Sequence, residues 1–138
     1  MKKAHLVAKA VVLDENNKIL MLRRSKTDPR RPLQWDLPGG WVDEGEDFVT
    51  AVSREINEEA GLIVPISKLQ LMYTTTAMRN GSNVCWVFYG AKINNQKITL
   101  SDEHVEYDWQ DLATAINSFE YYIQKDFLRY ITDNNLID

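Results

Sequence analysis

Apolar residues come along this chain in two rhythms. In residues 6–13 (LVAKAVVL) and 18–22 (KILML) they are nearly continuous, with Asp14-Glu15-Asn16-Asn17 between them. Short continuous runs read as buried strands and the polar tetrad as a turn, which predicts a hairpin closed by Arg23 and Arg24. Residues 25–33 are polar and carry Pro29 and Pro32, which predicts an exposed loop. Trp35-Asp36-Leu37 is a short extended piece that leads into Pro38-Gly39-Gly40. Residues 68–78 and 83–93 predict two strands joined at Arg79-Asn80-Gly81-Ser82, because Asn-Gly supplies two positive-φ positions. After a turn at 94–96, short strands are predicted at 97–100 and 105–109.

The helical rhythm appears twice. From about Glu46 or Asp47 to Ala60, the residues Val49, Val52, Ile56 and Ala60 share one stripe, acidic residues occupy the first turn, and Gly61 suits the left-handed C′ position. From Ser118, read as an N-cap, Phe119, Tyr122, Ile123, Phe127, Tyr130 and Ile131 repeat at helical spacing and predict an amphipathic helix with an aromatic core stripe. Strands around two helices, without regular β-α-β alternation, predict an α+β fold with a mixed sheet between helices, as one domain over 1–138.

The charges of the first helix change the picture. Glu55, Glu58 and Glu59 lie on one arc, about a quarter turn from the apolar stripe at ~100° per residue. Like charges at this spacing repel, and the C-terminal turns carry the negative end of the helix dipole. A divalent cation would compensate the cost. The helix can thus bury one side and present carboxylates along a cleft.

Composition narrows the classes. With 44% apolar and 26% charged residues, the chain has ordinary globular composition. Its net charge of -4 argues against long nucleic acid as a partner. The one cysteine, Cys85, lies in an apolar run and reads as a buried thiol in a reducing compartment. Lys9 and Asp14 interrupt the apolar start, so no signal peptide is read, and no run is long enough to span a bilayer. The expectation is a cytoplasmic protein with a small-molecule substrate and no membrane, acting as monomer or homodimer.

Gly40, five residues, Glu46, seven residues, then Arg54-Glu55-Ile56-x-Glu58-Glu59-x-Gly61-Leu62 resembles the Nudix box, G-x5-E-x7-R-E-U-x-E-E-x-G-U with U aliphatic. All nine specified positions over the 23 residues match. The paired arginines, the WDLPGG approach and a late acidic run before Trp109 are similar too, so the likeness runs roughly over residues 6–112.

The resemblance implies a Nudix-type α/β/α sandwich with a mixed β-sheet and a catalytic loop-helix-loop. It implies a Mg²⁺-dependent hydrolase, with Mn²⁺ as the alternative ion, that cleaves a phosphoanhydride in a nucleoside diphosphate linked to a variable group. The favoured substrate is a nucleoside or deoxynucleoside triphosphate giving monophosphate and pyrophosphate. The alternatives are ADP-ribose, a nucleotide sugar or a dinucleoside polyphosphate. Magnesium takes six oxygen ligands, neutralises phosphate charge and acidifies bound water. By resemblance Glu55, Glu58 and Glu59 are metal ligands, with the Gly39 carbonyl, Glu46 and Glu103 as further metal residues. Arg54 orients the carboxylates by pairing with Glu46 or Glu55. The general base is a box glutamate, Glu103 or its competitor Glu106. Arg23, Arg24, Trp35 and Gly40 are the substrate-binding candidates, with Arg23 preferred over Arg24 for phosphate. Trp35, Tyr73, Trp86 and Trp109 could include a base-stacking platform, although strand aromatics are usually core. His104 reads as a structural or solvated loop histidine. A non-catalytic nucleotide-sensing domain would tolerate loss of box glutamates, and this chain has lost none.

Overall fold

The computed structural model describes residues 3–137. The strands are β1 (Ala4–Leu13), β2 (Ile19–Arg24), β3 (Trp35–Asp36), β4 (Gly39–Trp41), β5 (Gln70–Arg79), β6 (Ser82–Lys92) and β7 (His104–Gln110). The helices are α1 (Phe48–Ala60), α2 (Leu112–Ser118) and α3 (Tyr122–Asp133). The fold is α+β, a mixed sheet with helices on both faces.

β1 is the hub, because its sequence is apolar on both faces. Val7 and Val11 face one core with Phe119, Ile123, Phe127 and Ile131 from the C-terminal helices. Ala8, Ala10 and Val12 face a second core with Val52, Ile56 and Ala60 of α1. β1 runs parallel to β6 over its whole length, from Ala4↔Asn83 to Leu13↔Lys92. The predicted hairpin to β2 forms only at its base, Leu13↔Ile19, after which the two strands diverge. β2 pairs instead with β7, and β4 takes the vacated edge of β1 through Val7↔Trp41, Ala8↔Gly40 and Lys9↔Gly39. The sheet is thus split, and the Leu37-Pro38 link crosses the split, with Ala10 N donating to Pro38 O at 2.9 Å.

Several expectations change. Residues 97–100 form no strand. Their donors serve the end of α1: Thr99 N bonds Ala60 O at 2.8 Å and Ser101 N bonds Glu59 O at 3.0 Å. The last carbonyls of a helix lack intrahelical partners, so this segment satisfies them instead of a sheet neighbour. Ser118 is not an N-cap. It closes α2, whose N-cap is Asp111, accepting from Thr114 N at 2.8 Å. The predicted C-terminal helix starts only at Tyr122, and the unpredicted α2 precedes it. Tyr122 and Tyr130 of the aromatic stripe stay exposed, while Phe119, Ile123, Phe127 and Ile131 are buried. Asn80 and Gly81 form the β5–β6 turn at φ 49° and 77°. Cys85 is half-buried rather than enclosed. Among the described residues no helix is long and apolar enough to cross a membrane.

Candidate active site

α1 begins at Asp47, whose carboxylate accepts from Thr50 N at 2.9 Å, and ends at Gly61 in the left-handed conformation. Its buried arc is rotated from the predicted stripe. Ala51, Val52, Ile56, Glu59 and Ala60 are buried, whereas Val49 is half-buried. At 100° per residue Glu59 lies only about 20° from Val52, so it belongs to the buried face rather than beside it. What encloses Glu59 is β4, through Gly39, and the loop docked on the helix end, through Ser101.

Each glutamate of the box therefore meets a different environment. Glu59 is 4% exposed and accepts from Gly39 N at 2.8 Å. Burial pushes its carboxyl up to about 8, although Lys9 and the Gly39 N–H pull the other way. Glu55 is raised too, by burial that outweighs Arg54. Glu58 is 57% exposed in its side chain and turned toward Arg54.

Arg54 holds the group together. Its Nε and Nη2 donate to the two oxygens of Glu46 at 2.8 and 2.9 Å, a bidentate fork. Nη1 donates to Glu55 Oε1 at 3.0 Å and Glu58 Oε2 at 3.2 Å, and Nη2 also reaches Trp41 O at 3.2 Å. Both expected partners, Glu46 and Glu55, are thus engaged at once. The fork drops the Glu46 carboxyl to about 2.

The two glycines before the helix let this happen. A Cβ on Gly40 would fall 2.9 Å from Glu55 Cδ, and one on Gly39 would fall 2.2 Å from Ala8 O. Only bare backbone lets β4 lie between β1 and the Glu55 and Glu59 carboxylates.

These elements wall a cleft of about 540 Å³. Gly39, Gly40, Glu55, Glu59, Glu103 and His104 line it. The apolar Val7, Val84 and Trp86 and the cations Arg24, Arg30, Arg31 and Arg79 line it too. Lys9, which also lines the cleft and is 3% exposed, donates to Asp36 Oδ1 and Leu37 O, both at 2.9 Å. Arg24 Nη1 donates to Asp36 Oδ2 at 2.7 Å, and Nε to Asp28 Oδ2 at 2.9 Å.

The sequence-predicted residues divide accordingly. Gly39, Gly40, Glu55, Glu59, Glu103 and Arg24 line the cleft. Glu46, Arg54 and Glu58 sit immediately behind Glu55. Arg23 lies outside the cleft lining, donating to Leu33 O at 2.9 Å and Glu106 Oε1 at 2.7 Å, with its guanidinium over Trp35. That accounts for Glu106 and Trp35 as well. Trp35 and Tyr73 pack on one core and Trp109 on the other. Trp41, Arg79 and His104 line the cleft without having been singled out for it. His104 had a signal in retrospect, as it adjoins Glu103.

The carboxylate wall fits a divalent cation. Glu59 and Glu103 each place an oxygen within 4.8 Å of the other and of a His104 nitrogen, and burial leaves Glu59 without a full counter-charge.

The model of the NUDIX domain matches residues 3–130. This chain belongs to the Nudix family. It is 30% identical over 121 residues to an ADP-ribose pyrophosphatase of Methanocaldococcus jannaschii, covering 86% of this chain and 70% of that one. It is 32% identical over 99 residues to a putative 8-oxo-dGTP diphosphatase of Bacillus subtilis, covering 72% of this chain and 61% of the relative. The crystal structure of a MutT protein from Methanosarcina mazei superposes with a TM-score of 0.83 at 25% identity, over 96% of both chains. As a Nudix hydrolase, the chain acts on phosphoanhydrides in nucleotide-linked compounds, and the family generally uses a divalent metal.

Proposed function

We propose that this Nudix hydrolase cleaves a nucleoside or deoxynucleoside triphosphate to the monophosphate and pyrophosphate. The observation that carries the reading is the cleft of about 540 Å³, lined by the carboxylates of Glu55, Glu59 and Glu103 and by the apolar Val7, Val84 and Trp86. That volume suits one nucleotide, with the base against the apolar residues and the phosphates toward the carboxylates.

Glu55, Glu59 and Glu103 would hold Mg²⁺, with the Gly39 carbonyl as a further donor. The ion supplies charge neutralisation at phosphorus and a more acidic water. Arg54 fixes the direction in which Glu55 and Glu58 point, and Glu46 fixes Arg54. Glu55 and Glu103, which both line the cleft, are the candidate bases for an attacking water. Arg31 and Arg79 also line the cleft and would meet the substrate's negative charge.

ADP-ribose is the second reading, favoured by the likeness to the archaeal ADP-ribose pyrophosphatase over 86% of this chain. The two are separated by measuring kcat/KM with Mg²⁺ for the eight common triphosphates, 8-oxo-dGTP and ADP-ribose, with products resolved by chromatography. Release of pyrophosphate with at least a tenfold preference for a triphosphate is expected. A tenfold preference for ADP-ribose, or release of orthophosphate instead of pyrophosphate, would overturn it.

A further inference from the structure

His104 is buried, with 2% of its side chain exposed. Neither Nδ1 nor Nε2 has a hydrogen-bond partner among the described residues. A buried polar atom left unpartnered costs about 1–3 kcal/mol, and a core histidine normally escapes this by bonding a backbone carbonyl. His104 does not. Its Nε2 lies 3.5 Å from Glu59 Oε2, too long and too poorly aligned for a good hydrogen bond.

The backbone puts it there by a specific device. Along β2 and β7, Arg23 pairs with Glu106, yet the next residue, Arg24, pairs with His104, so Val105 is skipped in a bulge. A one-residue slip turns a side chain to the opposite face of its sheet, and bulges re-aim side chains beside sites. Val105 is 53% exposed while His104 turns inward to Glu59. The preceding loop is pinned at both ends of this turn, by Ser101 N to Glu59 O at 3.0 Å and by Ser25 N to Glu103 O at 3.0 Å.

We propose that His104 is a nitrogen ligand to the divalent ion, completing a mixed donor set with Glu59 and Glu103. The three side chains offer ligand atoms within 4.8 Å of one another, a spacing that a small movement closes around one ion. Carboxylates alone suit Mg²⁺, while an imidazole nitrogen adds affinity for first-row transition ions. The site accordingly binds Mn²⁺ and Zn²⁺ in preference to Mg²⁺. This deepens the hydrolase reading at its metal site, but it concerns binding alone and is tested without substrate.

The test uses EDTA-stripped protein loaded with one equivalent of Mn²⁺. Electron spin-echo modulation should show a ¹⁴N coupling from a directly bound imidazole. His104→Gln should abolish it. By calorimetry the same variant should weaken Mn²⁺ binding by about tenfold or more, with Mg²⁺ changed by less than about twofold. Absence of the ¹⁴N coupling in the wild-type protein overturns the proposal whatever the variant does. Persistence of the coupling in His104→Gln, or equal weakening of Mn²⁺ and Mg²⁺, overturns it as well. Because the wild-type spectrum decides by itself, a variant that fails to fold leaves the outcome readable. If the ligand is confirmed and no nucleotide is turned over, only the hydrolase reading falls.

Discussion

Three glutamates of one motif are chemically unequal here, because each position on α1 faces different surroundings. Arg54 donates to Glu55 and Glu58, but Glu59 is closed in against β4, where its hydrogen bond comes from the Gly39 N–H at 2.8 Å. Its folded-state carboxyl, at about 8, lies above the ordinary 4.5. The metal-free protein must then hold a proton that the unfolded chain releases, so stability falls as pH rises from about 4.5 toward 8. Glu59→Gln should remove that fall and raise the melting temperature at pH 7.5 in EDTA, while lowering kcat roughly a thousandfold, about 4 kcal/mol of barrier. Glu58→Gln should lose only about 10–100-fold, since its exposed carboxylate acts beside Arg54. Steady-state kinetics and thermal melts on both variants check this. Equal kinetic losses would show that burial does not rank the two carboxylates.

At the scale of elements, the site depends on how one loop ends one helix. The carbonyls of Glu59 and Ala60 accept from Ser101 N and Thr99 N, which fastens Glu103 and His104 over the C-terminus of α1. Thr99→Pro removes one of these donors. It should cost about 1–3 kcal/mol of stability. Its larger effect should be on kcat, because the loop would no longer hold Glu103 against the α1 wall. Denaturant titration paired with kinetics at saturating substrate tests it, and a stability loss with unchanged kcat would contradict the coupling. The 97–100 stretch (KITL) alternates well enough to read as a strand, and nothing local distinguishes a strand from a segment whose donors a distant helix end requires.

In the whole molecule, the split between β1 and β2 is bridged by buried charge. Lys9 and Asp36 pair at 2.9 Å, with Arg24 on the other Asp36 oxygen at 2.7 Å. Burial would raise the Asp36 carboxyl, but Lys9, Arg31 and Arg24 outweigh it and hold it at about 2, below the ordinary 3.8. The stabilisation is therefore present above about pH 4 and lost as pH falls through about 2. Asp36→Asn should flatten that acid transition. At neutral pH it should destabilise the fold by about 3–5 kcal/mol, because Lys9 is left buried with its charge uncompensated. Urea unfolding at pH 7 and pH 3 measures both, and a variant as stable as the wild type at pH 7 would show the pair to be dispensable.

The sequence by itself determined the helix that carries the box, its end at Gly61, the Asn80-Gly81 hairpin, the α+β class and the family, whereas the start of the helix moved past the acidic pair, with Asp47 as N-cap and no acidic residue in the first turn. These rest on local rules: periodicity, capping, turn conformation and a motif whose spacing is set by one helix. The likeness to the motif also named Glu46 and Glu55 as partners of Arg54, while Glu58, one helical turn away, joins them in the structure. What lies across the molecule was decided only in three dimensions. Arg23 and Arg24 are adjacent in sequence and alike in chemistry, yet the alternation of a strand sends one to Glu106 and the other over the cleft. Glu103 reads as a loop acid, but only the docking of its loop on α1 brings it to Glu59. His104 reads as an ordinary histidine until a bulge turns it inward. Side-chain direction in a strand reverses with each residue, so long-range register, which no local pattern encodes, chose which of these residues face the site.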